Sequence, residues 1–450
     1  MPGWRTIGVI ALCLSSPVSA QSWPPDSGKS YVIPAVEIVA FDALLNLFDR
    51  LALGEQYASS AQTIRRNLRA PWKTENDAFE INQFGHPLQG SIYHGFARSS
   101  GLTFWTSFAY TFAGSAMWEI AGETTPPSWN DQIASGIAGS FLGEALFRVG
   151  SLILETAPQP LRPGRRLVTA VTSFPLAVNR QVFDRFDAVY PSDGAAYNRR
   201  LSFGASSAMN TRGAAGVTIQ PNEAVFDLAM EYGLPGVDGY RYRHPFDYFS
   251  MQAMFTSGTG LESILLRGLL IGDGYEVGGD YRGAWGLYGN YDYIAPEVFR
   301  VSTTALALGT TAEWQPSSTL AVQATAMGGV GFAAVGALAR VDTSDYHYGM
   351  APQALLASRI IFSDRAALDL TGREYYVEGV GNPGHDNIVR LDAALTMRLH
   401  QQNAIGVRYL LSRRDAHFPG GTDRTQLRGT LGVFYTLLGH DRFGSVRQVR

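Results

Sequence analysis

The C-terminal half of the chain alternates between apolar and polar residues. In Val389–Leu399 the odd positions are apolar, whereas the even positions include Arg390 and Asp392. Successive side chains of a β-strand point to opposite faces, so this period of two predicts a strand with one apolar and one polar face. Ala224–Tyr232 repeats the pattern. From about residue 199 onward, the alternation therefore predicts a β-domain.

Twelve segments carry this pattern, and turn residues separate several of them. Their predicted bounds are 199–209, 222–233, 246–257, 261–271, 281–293, 299–313, 318–330, 347–361, 364–378, 387–399, 402–413 and 424–438. Such lengths exceed the roughly 5–6 residues of a soluble strand and suit a tilted strand that crosses a bilayer. We therefore predict a mainly β protein, with an antiparallel transmembrane β-barrel of about 12 strands and an α-helical N-terminal domain.

In a closed barrel, the polar face of each strand lines the lumen. The residues predicted to face the lumen are Asp227, Glu231, Arg390, Asp392, Arg398, Arg408 and Arg428. Charges of both signs favour ion pairs across a filled interior over a selective pore. Aromatic residues near the predicted strand ends, such as Tyr291, Tyr346 and Tyr348, are expected at the level of the lipid headgroups.

A soluble periplasmic β-sandwich is the alternative, because its strands also alternate but turn their apolar face inward. Strand length and a charged fraction of only 17% favour the membrane. The segment Thr430-x-Gly432-x-x-Tyr435-x-Leu437 resembles the C-terminal signal of outer-membrane proteins, although a tail over 438–450 follows it. This resemblance implies location in the cell outer membrane, with outer-membrane lipid and the barrel insertion machinery as partners.

The first residues have the pattern of a secretory signal peptide. Arg5 is the only charge in residues 1–20, an apolar run follows it, and Val18-Ser19-Ala20 forms a small-x-small cleavage site. Cys13, the only cysteine, lies in this segment, so the mature chain is predicted to lack a thiol. The predicted parts of the chain are a signal peptide over 1–20, a helical envelope domain over 21–157, a connector containing Pro and Arg over 158–198, and the barrel over 199–450.

Residues 35–157 follow a helical period. Val36, Val39 and Leu47 fall on one side of a helix and Asp42 falls elsewhere, which predicts an amphipathic helix. Further along, Ser99–Met117 carries no charge and is long enough to span a membrane. An inner-membrane hairpin is therefore an alternative to a compact helical domain docked at or inside the barrel.

Small residues predict a close contact between two helices. Ser135, Gly139 and Gly143 follow one another at intervals of four, which lets another helix approach closely. On the same predicted helix, Glu144 and Arg148 are spaced for an ion pair.

Four motifs follow one another in this region: Asn82-Gln83-Phe84-Gly85-His86-Pro87-x-x-Gly90-x-x-Tyr93, Gly114-Ser115-x-x-Trp118-Glu119, Pro127-Ser128-x-Asn130-Asp131 and Gly139-x-x-x-Gly143-Glu144-x-x-x-Arg148. The run resembles an uncharacterised family of bacterial cell-envelope proteins, which is known only as a domain of unknown function. The resemblance implies an exported envelope protein and brings no activity or catalytic residue with it. The order of His86, Glu119, Asp131 and Gly139 is also similar in spacing to VanZ-like membrane proteins.

Polar residues of these motifs form the candidate site. The predicted network comprises Asn82, His86, Arg98, Trp118, Glu119, Asn130, Asp131, Glu144 and Arg148. The candidates for catalysis are His86, Glu119, Asp131 and Glu144, because His and carboxylates transfer protons and bind divalent ions. A buried network that fixes helices against each other explains the same residues. Their spacing matches no established metal or phosphate motif, so no metal and no cofactor is predicted.

Charge excludes one class of partner. The net charge of −3 and the absence of a basic cluster argue against binding of nucleic acid. No residue pattern identifies a small-molecule ligand. We expect an outer-membrane β-barrel protein with a structural role or a role in solute passage, and without an enzymatic activity. A membrane-embedded enzyme acting on lipid or cell-wall material and a soluble periplasmic binding protein are the alternatives.

Overall fold

The computed structural model describes residues 28–156, 162–183, 190–213, 219–337, 346–380, 384–419, 423–439 and 443–445. The predicted signal peptide and Cys13 lie outside these ranges, and cleavage of the signal stays a prediction.

Helices occupy the first part of the described chain. They are α1 (Val32–Ala52), α2 (Ala61–Asn67), α3 (His86–Ser99), α4 (Phe104–Ala121), α5 (Trp129–Ile133), α6 (Gly139–Glu155), α7 (Pro163–Thr172) and α8 (Phe174–Phe183). A π-helical turn, Ile81–Gly85, precedes α3, and a second one, Ala134–Ala138, joins α5 to α6. The uncharged stretch that suggested a hairpin is interrupted, because α3 ends at Ser99 and α4 begins at Phe104.

One helical run among the described residues, Trp129–Glu155, is long and apolar enough to cross a membrane by length and composition. Most of it is inside the protein, since 78% of its most apolar window is buried. The run is therefore the core helix of the helical domain.

Twelve antiparallel strands form a closed barrel, in which each strand pairs with the next and β12 pairs with β1. They are β1 (Tyr197–Arg212), β2 (Asn222–Tyr232), β3 (Phe249–Thr256), β4 (Gly260–Val277), β5 (Tyr281–Ile294), β6 (Phe299–Ser317), β7 (Leu320–Ala337), β8 (His347–Phe362), β9 (Ala366–Gly379), β10 (His385–His400), β11 (Asn403–His417) and β12 (Arg424–Leu438). Closure leaves no strand edge unpaired along the sheet. The predicted fold class is confirmed.

Two strands extend well beyond their predicted ends. β4 continues to Val277, because a register shift between Leu269 and Ile271 reverses the phase of apolar and polar positions. β7 continues to Ala337 through a glycine-rich stretch that has few side chains to form a pattern. In both strands the backbone pairing continues where the sequence signal fades.

The outward face of the barrel is apolar. In β10, Leu391, Leu395 and Met397 are exposed on the outside, whereas Arg390 and Asp392 alternate with them and face the interior. A continuous apolar exterior around a polar interior belongs to a membrane-spanning barrel and reverses the arrangement of a soluble sandwich. The soluble alternative is therefore wrong.

The barrel has two ends, the entry rim and the far rim. At the entry rim, β1 begins at Tyr197 and β12 ends at Leu438. At the far rim, β5 ends at Ile294 and β6 begins at Phe299.

Candidate functional site

The helical domain lies against the outer surface of the barrel wall. Arg359 of β8 and Asp292 of β5 form ion pairs with non-adjacent strands, so both side chains point into the lumen. Because side chains alternate, Tyr348 of β8 and Tyr291 of β5 point outward. Both tyrosines are nevertheless buried, since the helical domain covers them. The sequence left open whether the helical domain docks at the barrel or inside its lumen. The structure shows docking on the outer wall, so the lumen position is wrong.

Hydrogen bonds join the domain to the outward-facing tyrosines. The Asn82 amide donates to the hydroxyls of Tyr346 at 2.9 Å and Tyr348 at 3.4 Å, and the Asn130 amide donates to Tyr348 at 2.8 Å. The Tyr291 hydroxyl donates to a carbonyl of the first π-helical turn at 2.6 Å. These rings were expected at the level of the lipid headgroups. The helical domain covers them, so they form the docking surface.

Apolar side chains fill the same interface. The rings of Phe104 and Phe246 are stacked with centroids 5.8 Å apart. Phe141 lies so close to Gly289 of β5 that a Cβ there would come within 2.6 Å of its ring. The helices and the wall thus share one hydrophobic core.

The run Trp129–Glu155 follows the wall from rim to rim. Its first residue, Trp129, contacts Phe332 of β7 near the far rim, with ring centroids 4.8 Å apart. Near its other end, Arg148 donates to the carbonyl of Pro245 at 2.7 Å, in the β2–β3 connection at the entry rim. The 27 residues of this run correspond to about 40 Å at a rise of 1.5 Å per residue.

Helices α3 and α6 approach through small residues, as the sequence predicted. A Cβ on Gly90 would lie 1.9 Å from the carbonyl oxygen of Ser135, and one on Gly143 would lie 2.7 Å from the Cβ of His94. The backbones are therefore in direct contact along this strip.

Glu144 lies at the centre of a charged cluster between α3 and α6. Its carboxylate accepts hydrogen bonds from Arg98 at 2.6 Å and Arg148 at 2.8 Å, and lies 3.1 Å from His94 Nε2. Arg148 also pairs with Asp247 of the barrel at 3.0 Å. Arginines surround this buried carboxylate, so the cluster ties α3, α6 and the barrel together.

The other three candidates for catalysis meet at a different place. His86 of α3, Glu119 of α4 and Asp131 of α5 each present a ligand atom within 4.8 Å of the others, and all three are buried. His86 Nε2 lies 4.0 Å from Asp131 Oδ1, and His86 Nδ1 lies 3.1 Å from Ser135 Oγ. We name His86, Glu119 and Asp131 the triad.

Neighbouring groups hold the two carboxylates of the triad in place. The backbone N–H of Ser128 donates to Glu119 Oε2 at 2.8 Å, and the Asn130 amide donates to Asp131 Oδ1 at 2.9 Å. Ser128 Oγ also accepts from the N–H of Asp131 at 3.3 Å and caps α5.

The carboxylates around His86 lack a basic partner. Among the residues that the structure describes, no arginine or lysine forms an ion pair with Glu119, Glu123 or Asp131. Burial, reinforced by the neighbouring carboxylates, raises the pKa of Glu119 well above its ordinary value. Burial likewise raises the pKa of Glu75 to about 8. Trp118 donates its indole N–H to Glu123 at 2.8 Å, which is its part in the network.

Ion pairs cross the lumen. Arg408 of β11 pairs with Asp227 of β2 at 2.6 Å and with Asp392 of β10, and Arg359 joins Glu231 to Asp369. The other predicted lumen residues also point inward: Arg390 pairs with Glu262 at 3.1 Å, Arg428 pairs with Glu223 and Glu297 at 2.9 Å, and Arg398 lies over the ring of Phe443 at 5.2 Å. These pairs leave a cavity of about 150 Å³, whose lining includes Arg200, Glu231 and Pro235 towards the entry rim.

Two functional features escaped the sequence reasoning. His94, in the Glu144 cluster, gave no signal beyond its helical spacing to Arg98. Arg300 of β6 faces outward yet is only 1% exposed, because it packs on Phe79 and pairs with Glu80 at 3.6 Å. The sequence signal for this feature was Arg300 itself, because an arginine on the lipid-facing side of a strand indicates that another part of the protein covers it.

The closed barrel and the helices packed on its wall define a membrane-spanning β-barrel with a helical domain. The model of the domain of unknown function DUF3943 matches residues 71–174, within the helical part. No curated protein matches the chain. The VanZ-like similarity stays a prediction.

Several solved outer-membrane proteins have a similar barrel. The DcaP channel of Acinetobacter baumannii is 9% identical, covers 54% of this chain and 96% of its own, and has a TM-score of 0.26. An outer-membrane channel from Pseudomonas putida F1 is 11% identical, covers 54% of this chain and 95% of its own, and has a TM-score of 0.27. The NanC porin is 6% identical, covers 52% of this chain and 98% of its own, and has a TM-score of 0.27. The predicted outer-membrane location agrees with the closed barrel, its even strand number and its apolar exterior.

Proposed function

We propose that the protein is an outer-membrane scaffold, in which a sealed barrel anchors a helical domain that lies in the lipid beside it. The observation that carries the proposal is the apolar exposed face of α1. Its exposed face is apolar, and its buried face carries the carboxyl group of Asp42 beside Ile33 and Ile38.

Individual residues of α1 show both features. Val36, Leu44 and Leu51 are 60%, 67% and 80% exposed, whereas Asp42 is only 8% exposed and accepts a hydrogen bond from Tyr93. A helix on the surface of a soluble domain turns its apolar stripe to the core. The arrangement in α1 suits a helix that faces lipid, and it follows naturally from a domain docked on the apolar exterior of a barrel.

The ion pairs and the small cavity in the lumen favour a role as a scaffold rather than as a channel. Cross-lumen ion pairs of Arg408 and Arg359 join strands on different sides of the barrel. The remaining cavity of about 150 Å³ is smaller than the roughly 300–1,000 Å³ of an ordinary ligand pocket.

Turn lengths suggest an orientation. The turns 278–280, 318–319, 363–365 and 401–402 all lie at the entry rim. Short turns face the periplasm in outer-membrane barrels. The entry rim is therefore the periplasmic one in this proposal.

Site-directed spin labelling tests the position of the helical domain. Because Cys13 is the only cysteine and lies in the predicted signal peptide, single-cysteine variants are simple to make. Labels at Val36→Cys and Leu44→Cys, in protein reconstituted into liposomes, should be accessible to oxygen and shielded from a water-soluble nickel chelate. A label at Leu391→Cys marks the lipid face of the barrel, and one at Arg65→Cys on exposed α2 is the comparison from the same domain. The proposal fails if both α1 labels are as accessible to nickel as a label in water.

A second candidate function is an enzyme acting on lipid or cell-wall material. The convergence of His86, Glu119 and Asp131 favours it, since a histidine with carboxylates can perform acid–base chemistry. Cells that produce His86→Ala or Glu119→Gln instead of the native chain would then show altered envelope lipid or cell-wall composition while the barrel remains folded. Unchanged composition with a folded barrel would contradict this candidate.

A further inference from the structure

We propose that the triad of His86, Glu119 and Asp131 binds one divalent transition-metal ion. The inference rests on the arrangement of three ligand groups, on a buried carboxylate oxygen without a partner, and on a local cluster of carboxyl groups that lacks an arginine or lysine partner among the described residues. It is independent of the proposed position of the domain in lipid.

The geometry suits a single ion. The three ligand atoms lie within 4.8 Å of one another, and ligands of a tetrahedral zinc ion are about 3–3.5 Å apart. Small side-chain rotations bring the groups to that separation. One imidazole and two carboxylates form a ligand set that suits Zn²⁺, Mn²⁺ or Fe²⁺.

An unpartnered oxygen points independently to a ligand. Glu119 is 2% exposed, and its Oε1 accepts no hydrogen bond from any residue that the structure describes. Its Oε2 is held by the N–H of Ser128. A buried, unsatisfied carboxylate oxygen is costly, and a bound cation removes that cost.

Neighbouring residues orient the ligands as in established metal sites. With its proton on Nδ1, His86 donates to Ser135 Oγ at 3.1 Å and presents the Nε2 lone pair towards Asp131. Histidine ligands of metals almost always have such a hydrogen bond on the second ring nitrogen. The Asn130 amide performs the same role for Asp131 at 2.9 Å.

The charges favour a cation. The carboxyl groups of Glu75 and Glu123 lie near the triad, and no arginine or lysine among the described residues forms an ion pair with its carboxyl groups. In contrast, the Glu144 cluster in the same domain is neutralised by two arginines. A divalent ion would supply in the triad the positive charge that arginine supplies to Glu144.

Irregular helices mark the same location. One π-helical turn ends at Gly85, directly before His86, and the other begins at Ala134 and contains Ser135. π-Turns within α-helices are rare and are frequent at functional sites. Both turns adjust the helices at the point where the ligands converge.

Metal analysis of purified full-length protein tests the proposal. Detergent-solubilised protein without a histidine tag is stripped with EDTA, dialysed against Zn²⁺ or Mn²⁺, and measured by elemental mass spectrometry and titration calorimetry. We expect about one ion per chain, and loss of that ion in His86→Ala and in the isosteric Glu119→Gln. Ser135→Ala should weaken binding about 10- to 100-fold, since it removes only the group that orients His86.

Controls separate the triad from general binding. His400→Ala removes an exposed histidine at the end of β10, and Glu55→Gln removes an exposed carboxylate of the helical domain. Both should bind metal like the native chain. Heat-modifiable gel mobility shows that each variant is folded. The proposal is overturned if the folded native protein binds neither ion, or if folded His86→Ala and Glu119→Gln keep the full stoichiometry.

Discussion

Two buried carboxylate clusters lie in one helical domain, and their surroundings decide what each can do. Glu144 accepts hydrogen bonds from two arginines, so its charge is balanced inside the protein. Glu119 has no basic partner among the described residues apart from the histidine of the triad. The sequence grouped both residues as candidates for catalysis, because residue type and spacing do not reveal which arginine reaches which carboxylate. The tertiary structure separates a structural ion-pair cluster from a candidate binding site.

Glu144→Gln should destabilise the protein. The substitution leaves the buried guanidinium group of Arg98 without its carboxylate and leaves Arg148 with Asp247 alone, a change that costs about 3–5 kcal/mol. The midpoint of thermal unfolding in detergent, followed by gel mobility and circular dichroism, should fall clearly. Glu55→Gln, on the exposed surface, is the matched control and should leave the midpoint unchanged. An equal midpoint for Glu144→Gln would show that the cluster does not stabilise the domain.

Glu119→Gln, in contrast to Glu144→Gln, should not lower the unfolding midpoint when metal is removed. In EDTA, the native side chain is a buried carboxyl group with an unsatisfied oxygen, and the amide replaces it with an uncharged group of nearly the same volume. In EDTA, we expect the unfolding midpoint of the variant to equal or exceed that of the native protein. Added Zn²⁺ should raise the midpoint of the variant less than that of the native protein. A large fall in EDTA would show that the carboxylate is stabilised by the protein alone.

At the scale of helices and strands, periodicity identified which elements form and failed to show which face is covered. The alternation in β10 predicted its apolar and polar faces correctly. The helical period of α1 identified its apolar side, but in the structure that side is exposed and Asp42 is buried. An amphipathic period has the same form whether the apolar stripe meets a core or lipid, so only the tertiary structure distinguishes them.

Gly90→Ala tests the contact of α3 with the second π-helical turn, which leads into α6. The new Cβ would lie 1.9 Å from the carbonyl oxygen of Ser135, so the helices must separate. We expect a loss of about 1–3 kcal/mol, measured as a lower unfolding midpoint. Gly164→Ala in α7 is the matched control, because its Cβ meets nothing within 4 Å and alanine favours a helix. Equal midpoints for the two variants would contradict the close packing.

At the scale of the whole molecule, the sequence predicted the parts and did not predict how they fit together. Twelve strands could be counted because each one carries its own pattern. The docking of the helical domain depends on residues far apart in the chain, such as Asn82 and Tyr346. Those tyrosines have the composition of a headgroup belt, and nothing local shows that helices cover them. The convergence of the triad has the same origin, since three helices contribute one residue each.

The proposed sealing of the lumen makes a prediction for the complete protein in a planar lipid bilayer. The native barrel should conduct ions weakly, because Arg408 and Arg359 join strands from different sides of the lumen. Arg408→Ala or Arg359→Ala removes one crossing and should raise the conductance several-fold, provided that heat-modifiable mobility shows a folded barrel. Arg413→Ala on the exposed side of β11 is the matched control and should leave the conductance unchanged. A large, stable conductance of the native barrel, equal in all variants, would mean that the ion pairs do not close the lumen, and it would favour solute passage over the scaffold.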